Sequence, residues 1–129
     1  MIKSKIFVLQ FFIVAFIAVV HIVALEMALY WRFNWLDLFI HFLGGMWVSL
    51  FSLSVLYQFG FQKTHLQLKV FIAVFTISIG WEVFELISGV PRESNFVFDT
   101  SLDLLMDGIG AFAGFMTGLR LIAQDMKYE

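Results

Sequence analysis

The stretch Asp99-Thr100-Ser101-Leu102-Asp103-Leu104-Leu105-Met106-Asp107-Gly108-Ile109-Gly110-Ala111-Phe112-Ala113-Gly114-Phe115-Met116-Thr117-Gly118 decides how this chain reads. As a helix it is about 30 Å long, one hydrocarbon thickness of a bilayer. Asp99, Asp103 and Asp107 recur at every fourth residue, and Gly110, Gly114 and Gly118 carry the step onward. Residues three and four apart share a helix face. One stripe is therefore carboxylate-rich in its first half and free of side chains in its second. The glycines admit a second helix at close range. The aspartates face whatever the bundle encloses, and carboxylates within a bilayer mark a functional site by default.

Composition agrees with a membrane setting. Of 129 residues 61% are hydrophobic, and the mean hydropathy is +0.92. A soluble domain holds roughly 45–50% apolar residues. The net charge of −2 gives no basic surface for nucleic acid. Without cysteine there are no disulfides, thiolate metal sites or thiol nucleophiles. No repeat, low-complexity tract or linker interrupts the chain, which reads as a single domain over 1–129.

Outward from the decisive stretch, four spans are predicted, over about 6–25, 35–57, 66–88 and 99–123, giving an all-α membrane protein built as a four-helix bundle. The first apolar run follows a short basic start. It exceeds a signal-peptide core and lacks a small-x-small cleavage site, so a retained helix is expected. His21 within it reads as a structural hydrogen-bonding group. Tyr30, Trp31 and Trp35 form an interfacial belt before the second span. Asp99 or Thr100 is the expected cap of the last helix. One side of the membrane then carries Lys3, Lys5, Lys63, Lys69, Arg120 and Lys127, the other only Arg32 and Arg92. The positive-inside bias puts both termini in the cytoplasm, in the inner (plasma) membrane.

In that topology Asp37 and His41 open the second span, Glu82 and Glu85 close the third, and Asp99, Asp103 and Asp107 open the fourth. All lie at the same, non-cytoplasmic end, where a bundle can gather them into one pocket. So many carboxylates need a metal, shared protons, or pairing with Arg32, Arg92 and His41. Ligation by His41, Glu82, Glu85, Asp103 and Asp107 suits a hard divalent ion, Mg²⁺, Mn²⁺ or Ca²⁺, or else Zn²⁺.

These residues resemble the VanZ-like membrane proteins and the related YjdF-type family. In that pattern an Asp-x-x-x-His opens one helix, a Glu closes the next, and the last reads Asp-x-x-x-Asn-x-x-Gly-x-x-x-Gly. Here Asp37-Leu-Phe-Ile-His41, Glu82 with Glu85, and Asp103-Leu-Leu-Met-Asp107-Gly-Ile-Gly110-Ala-Phe-Ala-Gly114 hold those places. Asp107 stands where Asn is usual, Leu38 where Lys is frequent, and Arg92 lies farther ahead of Asp103. The resemblance implies a bacterial envelope protein, some relatives being tied to glycopeptide-antibiotic resistance, and implies no settled reaction.

Three readings compete. The first is an enzyme acting on a membrane lipid or lipid-linked envelope precursor. Glu82, Asp103 and His41 would be its catalytic groups, Arg92, Asp37 and Asp99 its ligand-binding groups, and a metal would polarise a phosphoryl or carbonyl group. The second is an envelope or antibiotic-ligand binding protein without turnover. The third is a proton- or ion-coupled membrane protein, which four spans without an inverted repeat disfavour unless the chain forms a homo-oligomer.

Overall fold

The computed structural model describes residues 4–89 and 95–127. Its elements are α1 (Ser4–Glu26), α2 (Leu29–Arg32), α3 (Asn34–Gln58), a 3-10 turn at Phe61–Lys63, α4 (Leu66–Ser88) and α5 (Phe96–Met126). Four helices, Lys5–Glu26, Asn34–Gln58, Leu66–Ser88 and Phe96–Met126, are long and apolar enough to cross a membrane. Helices suit that setting because every backbone group is satisfied within its own segment.

Element ends depart from expectation for local reasons. α5 starts at Phe96, because Asn95 Oδ1 accepts from the Phe98 amide at 3.3 Å and caps it. Asp99 therefore lies inside the first turn, and Thr100 uses its hydroxyl elsewhere; neither is the cap. At its far end α5 runs on to Met126, past the end expected at about 123. α3 starts at Asn34, so Asp37 sits in its first turn and is not a capping residue. The polar-aromatic connection contains the short helix α2. α4 stops at Ser88, with Gly89 beyond it at φ 67° in the left-handed region.

The closest pair is α3 with α5, and glycine is the reason. A Cβ at Gly45 would overlap the Asp107 backbone. One at Gly110 would overlap the Phe42 carbonyl, and one at Gly114 the Met46 carbonyl. Lipid tails are as apolar as leucine, so helices gain little from hydrophobicity alone and rely on close packing and hydrogen bonds. Beyond this crossing lies an apolar layer of Ile6, Leu50, Leu53, Val70, Val74 and Phe115. α1 sits at the periphery and is tied in by Gln10, whose Nε2 donates to Ser54 Oγ at 2.8 Å and to the Leu50 carbonyl at 3.3 Å. Its Phe7, Phe11, Phe12 and Phe16 point outward. The apolar layer occupies the half where α3 ends and α4 begins; the other half encloses acids.

Candidate functional site

His41 stands at the centre of those acids. It lies two turns into α3, is only 6% exposed, and meets carboxylates from three helices. Its Nε2 is 4.0 Å from Asp37 Oδ1, 3.8 Å from Glu82 Oε1 and 3.9 Å from Asp103 Oδ2. Its Nδ1 lies 3.3 Å from both oxygens of Asp107. The two ring nitrogens thus have different neighbours: one carboxylate on Nδ1, three around Nε2.

That division constrains the imidazole. An ionised carboxylate accepts but does not donate, so an Nδ1–H serves Asp107, while Nε2 faces Asp37, Glu82 and Asp103 either as a second N–H or as a bare lone pair, according to the tautomer. In either form the three acids call for a positive charge at that point. A proton on Nε2 would balance one of the four carboxylates; a divalent ion would balance two. Asp103 adds a second signal. It is 2% exposed, and its Oδ1 has no hydrogen-bond partner among the described residues. Buried polar atoms of this kind are few in native proteins and ask for a reason.

The donor set fits a cation. Asp37, His41 and Asp103 can each offer one ligand atom within 4.8 Å of the others, as can His41, Glu82 and Glu85. Donors around a four-coordinate ion at about 2.1 Å lie about 3.4 Å apart, so the Nε2 distances of 4.0 Å to Asp37 and 3.9 Å to Asp103 would each have to shorten by about half an ångström. Asp107 meets the opposite nitrogen from the one around which these groups form. It stands where a ligating histidine's orienting carboxylate stands, holding ring and tautomer.

The other expected site residues are arranged around this centre. Glu85, half-buried, accepts from the Trp81 indole at 2.9 Å. Asp37, with 37% of its side chain exposed, is the opening of the cluster to the surface. Asp99 is half-buried one turn before Asp103 and is not among the carboxylates within 4.0 Å of His41. Arg92 lies outside the described residues.

Three contacts were not anticipated from sequence. Thr100 Oγ1 donates to Glu82 Oε2 at 2.9 Å and joins α5 to α4 at the rim. The Trp81 indole holds Glu85. Tyr30 of α2 shares a hydrogen bond of 2.7 Å with His21 of α1. Burial, then the charges of Asp37 and Glu85, push the Tyr30 hydroxyl up to about 12. Tyr30 is thus within the electrostatic reach of the acidic pocket. The Asp37-to-His41 spacing was visible in sequence; a tyrosine before it, on a four-residue helix, carried no periodic signal.

No curated protein and no solved structure matches the chain. A family model does match, over residues 4–124, nearly the full length. Its description agrees with the four candidate spans, and the chain belongs to the family described as Predicted membrane protein (DUF2238).

Proposed function

We propose that this protein binds a divalent cation within the membrane at the Nε2 side of His41, and through it holds the anionic head group of a cell-envelope lipid or lipid-linked precursor. The observation that carries the reading is the arrangement of three carboxylates within 4.0 Å of one imidazole nitrogen, with a fourth on the other nitrogen. His41, Asp37, Glu82 and Asp103 are the ligands, Glu85 closes the rim, and Asp107 orients the ring. Oxygen donors with one imidazole suit Mg²⁺ or Mn²⁺, and Zn²⁺ where a four-coordinate shell forms. With two of the four carboxylates balanced by the ion and the other two holding protons, an ion bound by part of its shell keeps positions for a phosphate oxygen, which gives the site its ligand class.

The cell-envelope setting follows from the VanZ-like and YjdF-type pattern of Asp37, His41, Glu82 and Asp103. The six-to-two division of basic residues supports cytoplasmic termini in the plasma membrane, with the site at the outer end of the bundle.

The test is Mn²⁺ binding to chelator-stripped protein in dodecyl maltoside, read by electron paramagnetic resonance with Mg²⁺ and Zn²⁺ as competitors. One Mn²⁺ per chain is expected. Asp103→Asn should weaken binding at least tenfold, and Asp107→Asn by about 10–100-fold, the effect typical of an orienting partner. Wild-type protein that binds no Mn²⁺, or binds it as well as Asp103→Asn does, refutes the cation. Proton uptake by the cluster would then take its place.

A further inference from the structure

We infer that the groove between α4 and α5 seats one acyl chain of a phospholipid whose phosphate reaches the carboxylate–histidine site. This deepens the cation reading and rests on it, making the site's ligand an acyl-bearing phosphate and not a water-soluble anion. The groove has a volume of about 550 Å³ and is lined by Phe71 and Phe75 of α4 and by Leu105, Gly108 and Phe112 of α5, with Ser101 at one end.

Its position along the bundle matches a lipid. The bond from Thr100 to Glu82 sets the two helices level at the acidic pocket. Farther in, a Cβ at Gly108 would lie 3.6 Å from the Phe75 ring. Ser101, next to Thr100, therefore opens the groove at the level of the site, and Phe112 closes it in the interior. The rise from Ser101 to Phe112 is about 16 Å. One leaflet of a hydrocarbon core about 30 Å thick has nearly that depth. A polar end beside a charged site and an apolar run one leaflet deep are the two halves of an amphiphile.

The occupant is a lipid chain and not a second copy of this protein for a structural reason. Close helix pairing in membranes uses glycine stripes, and the stripe of α5 already faces α3 and its neighbours through Gly110, Gly114 and Gly118. On the groove side only Gly108 lacks a side chain, which leaves a slot for a chain of methylenes and no seam for a helix.

The experiment uses full-length protein in nanodiscs of phosphatidylethanolamine and phosphatidylglycerol, with and without Mn²⁺. Native mass spectrometry then counts the phospholipids retained after release. Wild type should keep one phospholipid, more firmly with Mn²⁺. Gly108→Leu fills the slot and should reduce retention at least tenfold. Leu105→Trp fills it from the rim, where Leu105 is 57% exposed, so folding is not at stake. Val83→Trp, on an outward position of α4 that is 49% exposed, should retain lipid as wild type does. Equal retention in all four proteins overturns the groove, as does release of a lipid-free dimer. Groove-dependent retention that ignores Mn²⁺, in protein that binds no Mn²⁺, leaves the groove standing and overturns the cation.

Discussion

Replacing Gly110 by alanine should separate α3 from α5 and, with them, the two halves of the site. In an unobstructed helix the change from glycine to alanine is stabilising by about 1 kcal/mol. Gly80 of α4 shows that baseline, since a Cβ there meets nothing within 4 Å. At Gly110 the new Cβ would instead overlap the Phe42 carbonyl, one residue beyond His41. Overpacking of this sort costs about 1–3 kcal/mol, and relief requires α5 to retreat by about 1 Å. The His41–Asp107 contact at 3.3 Å has no such slack. A retreat of that size takes it beyond hydrogen-bond range, at a further cost of about 0.6 kcal/mol for an interhelical bond in a membrane protein. Gly110→Ala should therefore be about 1–3 kcal/mol less stable than wild type, and Gly80→Ala up to about 1 kcal/mol more stable. Reversible unfolding in mixed dodecyl maltoside and sodium dodecyl sulfate micelles, followed by circular dichroism, measures both. Gly110→Ala as stable as Gly80→Ala would refute the α3–α5 crossing described above.

Three other outcomes are expected. Gln10→Leu removes the bonds to Ser54 and Leu50 and should loosen α1 by about 1–2 kcal/mol, read as faster proteolysis at α1 with the rest of the bundle protected. Tyr30 gives a pH signature. Its folded value of about 12 exceeds the ordinary value of about 10, so the folded state holds the phenolic proton longer than the unfolded one. That contribution is whole below about pH 10 and is lost as pH rises to about 12; Tyr30→Phe should flatten the fall in stability over that interval, and an unchanged profile would mean that neither burial nor the charges of Asp37 and Glu85 raise Tyr30. Reporter fusions at Lys63 and Lys127 should read cytoplasmic and those at Asn34 and Asn95 external; a split between the first two would scatter the proposed site across the membrane.

Much of this architecture was legible because membrane insertion reduces the choice of structure to a few patterns. Apolar length marks each of the four long helices, and for the third it predicts 66–88, where the structure has Leu66–Ser88. The fourth starts earlier than its apparent caps, Asp99 and Thr100, because the operative cap, Asn95, lies ahead of the apolar phenylalanines that open the helix. The short α2 carried too few residues for periodicity to register. The fourfold step from Asp99 to Gly118 correctly put acids and glycines on one stripe, since Asp103, Asp107, Gly110, Gly114 and Gly118 are all buried.

What the stripe left open was which acid meets which nitrogen. Residues four apart on a helix share a face but differ by about 6 Å in height, more than the size of an imidazole ring. Asp103 and Asp107 can therefore reach opposite edges of the same histidine, and do. The height of His41 against α5 is set by backbone contact, Gly45 on Asp107 and Gly110 on Phe42. In sequence, Gly110 reads as a packing residue. In the folded chain it and Gly45 decide that Asp107 takes Nδ1 and that Nε2 is left to Asp37, Glu82 and Asp103. A ligand set drawn from spacing alone groups both aspartates together, and only the crossing of α3 over α5 divides them into one that faces the proposed cation and one that holds the ring.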